Sequence, residues 1–120
     1  MIVFDSSAWV EYLMGTDKGL KVKKIIDNND LIYTPSICLA EIKSFHSKNG
    51  IGWKENINFI MMRSKIVPLD TDDSLLSADI KKDFNLHLSD AIIYSTSIIL
   101  NLPLLTKDSH FKGLRNIIMI

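Results

Sequence analysis

The sequence predicts an α/β fold around a central, mainly parallel sheet. Short apolar runs of strand length recur along the chain, at Ile2–Phe4, Leu31–Thr34, Lys65–Leu69, Leu104–Thr106 and Ile117–Ile120. Longer segments between them space their apolar residues as helices do. The two kinds alternate, which is the pattern of βα units rather than of a bundle or a sandwich. With 120 residues the chain reads as one domain, 1–120, large enough to bury a core.

Composition narrows the function classes. Hydrophobic residues make up 47% and charged residues 23%, which excludes a disordered or fibrous chain. Fourteen Lys and Arg balance fourteen Asp and Glu, so a purely electrostatic nucleic-acid binder is disfavoured and any polyanion must be met locally. Cys38 is the only cysteine, which excludes an internal disulfide and a cysteine-rich zinc site, and its expected place is the core. With no signal-like start and no run of about 20 apolar residues, the expectation is a soluble, cytoplasmic protein without a membrane partner.

Ile2, Val3 and Phe4 form a buried strand that ends at Asp5, and Trp9, Val10 and Leu13 mark the apolar side of the helix that follows. Asp5 thus sits at the carboxyl end of a strand, where open α/β sheets bind ligands. The plain alternative is that Asp5, Ser6 or Ser7 caps the helix. Gly15 breaks the chain and Thr16 or Asp17 caps a second helix, with Leu20, Val22, Ile25 and Ile26 inward and Lys18, Lys21, Lys23 and Lys24 solvated. After a turn at Asp27–Asp30 comes the second strand.

Pro35-Ser36 opens a helix from Ser36 to about Lys48, closed by Asn49-Gly50. Its apolar stripe runs through Ile37, Phe45, Cys38 and Ile42, and Glu41 falls inside it, where a carboxylate is costly unless it is paired, bound to a cation, or reaches water. Trp53–Met62 is amphipathic, with Ile57, Ile60 and Met61 inward. Pro68 places the third strand at an edge or ends it. Asp70, Asp72 and Asp73 read as cap and dipole partners of a helix whose inward residues are Leu75, Leu76, Ala78 and Ile80.

Leu88–Asn101 is the most apolar helix, with no charge after Asp90 until Lys107, and is expected to pack on most sides or to contribute to a dimer surface. Ser89 can cap it, which frees Asp90 for another role. Leu104–Thr106 runs into Lys107-Asp108, so Asp108 repeats the strand-end position of Asp5.

Asp5, Glu41, Asp90 and Asp108 are therefore the candidate site residues. If they converge, repulsion of about 4 kcal/mol per pair at about 4 Å requires protons or a cation. An all-oxygen set suits Mg²⁺ or Mn²⁺, whose characteristic chemistry is phosphodiester hydrolysis. Lys107, Lys112 and Arg115 either contact phosphates or are a solvated loop. His110, His46 and His87 read as structural.

The segments IVFDSSAWVEYL, PSICLAEI and LHLSDAIIYSTSIILNLPLLTKDSHF, with a closing strand, resemble PIN-domain ribonucleases, most of all the small VapC-type toxins of toxin–antitoxin pairs. The resemblance covers essentially the whole chain. It implies a PIN-like three-layer fold and an Mg²⁺- or Mn²⁺-dependent endoribonuclease that cuts a single-stranded or loop segment of RNA. It further implies inhibition by a small antitoxin and a homodimer. The family's four acids match Asp5, Glu41, Asp90 and Asp108, and its small hydroxyl residue matches Ser6. Asp5 and Asp90 are the implied direct ligands, with Glu41 and Asp108 completing the site or orienting water, and Ser6 and Thr106 supporting them. Many relatives carry a further acid shortly after the fourth, where this chain has Ser109, His110 and Lys112, so Asp108 binds metal directly or through water. Two rivals stand beside this reading. One is a phosphatase with Asp5 as nucleophile, disfavoured because Ser7 stands where such enzymes place a second Asp, and the other is a catalytically silent PIN-like module that binds RNA or protein.

Overall fold

The computed structural model describes residues Met1–Ile120. In chain order the elements are β1 (Ile2–Phe4), α1 (Ser6–Leu13), α2 (Asp17–Asp27), β2 (Ile32–Pro35), α3 (Ser36–Lys48), α4 (Lys54–Arg63), β3 (Lys65–Val67), α5 (Thr71–Phe84), α6 (Leu88–Leu100), β4 (Leu104–Thr106), a 3₁₀ turn (Ser109–Phe111) and β5 (Ile117–Met119). The strands form one sheet in the order β3-β2-β1-β4-β5, and every pairing is parallel. Val3 of β1 lies opposite Tyr33 on one side and Leu104 on the other.

All residues of β1 and β4 are buried. Successive strand residues point to opposite faces, so helices cover both faces of the sheet. The core gathers Val3, Phe4, Trp9, Ile32, Cys38, Ile42, Ile93, Leu104 and Phe111. Trp9 is fully buried, and its indole N–H donates to Thr34 Oγ1 at 3.0 Å, which satisfies the ring's one polar group. His46 is likewise interior, with Nδ1 at 2.9 Å from the Ile42 carbonyl and Nε2 at 2.9 Å from Asn56, a structural role as expected.

Several expectations need correction. Met61, Leu75 and Ala78 are exposed, because α4 buries Ile57 and Ile60 while α5 turns Asp73, Ser77 and Ile80 inward. Small polar side chains let α5 and α6 approach, and Ser77 Oγ reaches Ser95 Oγ at 3.3 Å. Ser89 does not cap α6; His87 holds the N-cap position without a side-chain bond, and Ser89 lies in the first turn. The second strand ends at Pro35 rather than Thr34, and Leu31 is exposed.

Gly19 sets the approach of α2 to α1. A Cβ there would lie 2.2 Å from the Glu11 carbonyl oxygen, and that backbone cannot yield as a side-chain tip would. Gly19→Ala is expected to destabilise the fold by about 2 kcal/mol, the usual scale of overpacking, read as a lower urea midpoint at unchanged slope.

Candidate active site

From β1 the chain moves to β2 on one side of the sheet, whereas from β4 it moves to β5 on the other. β1 and β4 are adjacent, so their carboxyl ends flank the switch point where α/β sheets open a crevice. Asp5 is the residue directly after β1, and Asp108 follows β4 by two.

Asp5 is 3% exposed and is the N-cap of α1. Its Oδ1 accepts from Ala8 N–H at 2.9 Å and from Ser7 Oγ at 2.7 Å, and its Oδ2 accepts from Thr106 Oγ1. Capping and a placement at the switch point therefore coincide in one residue. Each carboxylate oxygen has two lone pairs, so Oδ1 is filled and Oδ2 keeps one acceptor position. Burial pushes the carboxyl pKa up despite the bonds from Thr106, Ser7 and Ala8, and Asp108 adds to the rise.

The network continues across the strands. Thr106 Oγ1 accepts from Asp108 N–H at 2.9 Å, and Ser7 Oγ accepts from Lys107 N–H at 2.9 Å. The two hydroxyls thus tie the end of β1 to the turn that carries Asp108. Thr106→Val keeps the shape but removes the donor to Asp5 and the acceptor for Asp108 N–H. A loss of about 1–3 kcal/mol is expected in chemical unfolding.

Glu41 comes from α3, which starts at the carboxyl end of β2, so its second turn stays near that end of the sheet. It is half-buried, and its Oε1 accepts from Ser6 Oγ at 3.0 Å. Burial raises its pKa most, and the charges of Asp90, Asp5 and Asp108 raise it further. Asp90 lies in the first turn of α6 and is buried, and no backbone or hydroxyl group of the protein donates a bond to it. The His110 ring lies beside it, with Nδ1 at 3.6 Å from Oδ2. Burial and then Asp108 hold its pKa above the ordinary range, against the opposing pull of His110 and His87. Asp108 is half-buried, and its Oδ1 accepts from His110 N–H at 2.9 Å while His110 Nδ1 sits 3.0 Å away. Beneath the acids lies the buried Cys38 thiol, pushed well up by burial and then by the charges of Asp5, Glu41 and Asp90.

The structure thus brings Asp5, Glu41, Asp90 and Asp108 to one end of the sheet, with Ser6 on Glu41 and Thr106 on Asp5. Three of the four carboxyls are shifted upward. A raised folded-state pKa means that the folded protein holds a proton that the unfolded chain has lost, so stability falls as pH rises through the window between the two values. Asp90→Asn removes that liability, and the metal-free variant is expected to be more stable than the parent at neutral pH. The gap should narrow as pH falls through the raised Asp90 pKa, where the parent's own carboxyl becomes neutral, and paired unfolding curves across a descending pH series check this.

Three participants escape the sequence reading. Ser7 bonds Asp5 directly, and the hydroxyl two residues after a strand-end acid was the available signal. His110 reaches both Asp90 and Asp108, and its spacing of two residues from Asp108 was the clue. Glu11 is buried and accepts from Thr16 Oγ1 at 2.9 Å and from Lys107 Nζ at 3.0 Å. Burial would raise its pKa, but the bonds from Lys107 and Thr16 outweigh it and lower the value. Lys107 is accordingly neither a free phosphate contact nor a bare solvated side chain. Lys112 and Arg115 are exposed, and the Arg115 carbonyl accepts from Tyr94 Oη at 2.8 Å.

The family model of the PIN domain matches residues 2–116. No curated protein matches the chain. Among solved structures, a toxin–antitoxin complex from Klebsiella pneumoniae superposes with a TM-score of 0.83 at 18% identity, over 99% of this chain and 97% of that one. VapBC2 from Rickettsia felis, bound to a DNA fragment from its promoter, gives a TM-score of 0.74 at 20% identity over 100% and 98%. VapC20 of Mycobacterium tuberculosis, a toxin that cleaves the sarcin-ricin loop, gives 0.76 at 12% identity over 97% and 96%. At these identities the superpositions establish the fold, and the family model establishes the membership: the chain belongs to the PIN domain family.

Proposed function

We propose that this PIN domain is a divalent-metal-dependent endoribonuclease and the toxin of a toxin–antitoxin pair. The observation that carries the reading is the gathering of four carboxylates at one end of the sheet, near enough for their charges to act on one another, one of them, Asp90, buried without a hydroxyl or backbone donor. Such a set is held together by a cation or by protons. Its oxygen donors fit Mg²⁺ or Mn²⁺, which favour carboxylate and water ligands.

Asp5 and Asp90 are the direct ligands in this reading, Asp5 through the open position on Oδ2. Glu41 and Asp108 complete the ligand set or orient the attacking water, so all four acids count as catalytic residues. When bound, the ion supplies an activated water and stabilises the departing alkoxide. Thr106 and Ser7 fix the Asp5 carboxylate, and Ser6 fixes Glu41, so these oxygens need little reordering when substrate arrives. Lys112 and Arg115, exposed beyond the turn of Asp108, would meet phosphates of a single-stranded or loop segment of RNA.

The toxin assignment draws support from two structural neighbours, one described as a toxin–antitoxin complex and one as a toxin. It implies a small antitoxin as partner, a homodimer as the working unit, and the cytoplasm as the place of action. No helix is long and apolar enough to cross a membrane. The test is incubation of the purified chain with total cellular RNA and either Mg²⁺ or Mn²⁺. Site-limited cuts that vanish on chelation are expected; an intact RNA pool with both ions refutes the nuclease reading.

A further inference from the structure

His110 Nδ1 lies within 4 Å of carboxylate oxygens of both Asp90 and Asp108, and its placement suits more than a hydrogen bond. We propose that His110 Nδ1 is a metal ligand together with Asp90 and Asp108, so that the site prefers a late first-row ion over Mg²⁺; the inference rests on the metal-site reading above. Ligands at right angles around an ion with bonds of about 2.1 Å lie about 3.0 Å apart, and at the tetrahedral angle about 3.4 Å apart. Nδ1 lies 3.0 Å from Asp108 Oδ1 and 3.6 Å from Asp90 Oδ2. One donor atom from each of the three residues falls within 4.8 Å of the others.

The ring is held in that orientation from two directions. The His110 backbone N–H donates to Asp108 Oδ1 at 2.9 Å, which fixes the turn, and the His87 ring packs edge-on with centroids 5.5 Å apart. Imidazole suits Co²⁺, Ni²⁺ or Zn²⁺, whereas an all-carboxylate site suits Mg²⁺. A histidine among the carboxylates therefore alters which ion the site selects. The competing account is that Nδ1–H only donates a hydrogen bond to the two acids. Asparagine separates the two, because its amide can still donate from near the Nδ1 position but supplies no imidazole nitrogen.

The experiment titrates the full chain with Co²⁺, followed by visible absorption and by paramagnetically shifted imidazole proton signals, with Mg²⁺ measured in parallel by calorimetry. Wild type should bind Co²⁺ more tightly than Mg²⁺ and show one shifted imidazole signal. His110→Asn should bind Co²⁺ at least about tenfold more weakly and lose that signal. His110→Asp should restore an all-oxygen set and shift the preference toward Mg²⁺. Equal Co²⁺ affinity in wild type and His110→Asn, with no shifted imidazole signal, overturns the proposal. If wild type cuts no RNA yet binds Co²⁺ through His110, the nuclease reading falls and this one stands. If it cuts RNA while Co²⁺ binding ignores His110, only this one falls.

Discussion

Asp90→Asn is expected to lower RNA cleavage about a thousandfold while leaving the fold intact. Removing a direct ligand forfeits transition-state charge stabilisation of several kcal/mol, and about 4 kcal/mol corresponds to that factor. The loss should lie mainly in kcat, because in the proposed reading Asp90 would contact the ion and not the distant parts of the RNA. The same substitution stabilises the metal-free protein, since Asp90 is a buried acid that receives no backbone or hydroxyl bond and faces the charge of Asp108. Loss of activity together with gain of stability distinguishes a functional acid from a structural one. A variant that loses both would mean that Asp90 serves the fold.

The second large effect is metal-linked stability. An ion that binds only the folded state stabilises it by about 4.1 kcal/mol when present at a thousand times its Kd. Mn²⁺ is therefore expected to raise the unfolding temperature of wild type steeply, with EDTA reversing the shift. The expected dependence has a physical source in the upward-shifted carboxyls of Asp5, Glu41 and Asp90, whose charges a bound cation would compensate. Asp90→Asn should lose most of the response. Thermal melts across a Mn²⁺ series read both outcomes.

Much of this architecture was legible in the sequence because its signals are local. Ile2–Phe4 and Leu104–Thr106 are uninterrupted apolar runs bounded by polar turns, and both are fully buried strands. Asp5 and Asp108 were visible as acids that close such runs. Glu41 stood out because a carboxylate interrupts an apolar stripe, and it lies half-buried against Ser6. What stayed hidden depends on contacts far apart in sequence. No local pattern reports that Thr106 donates to Asp5 across 101 positions, or that Lys107 pairs with Glu11. The exposure of Leu75 and burial of Asp73 reverse the hydropathy rule, because the close α5–α6 packing admits serine and an N-terminal aspartate more readily than leucine. His110 reads as structural from the sequence because a histidine in a short turn has no periodicity to weigh, and its nearness to two carboxylates is visible only in the fold.

A cation-binding hydrolytic site at Asp5, Glu41, Asp90 and Asp108 would use water as the nucleophile. That water would attack the phosphorus, and the ribose 2′-hydroxyl would take no part. Mass spectrometry of the ends left on RNA cut by wild type in Mn²⁺ tests this most directly. Linear monophosphate and hydroxyl ends, absent with EDTA and absent with Asp90→Asn, are the predicted result; 2′,3′-cyclic phosphate ends that persist in EDTA would contradict it.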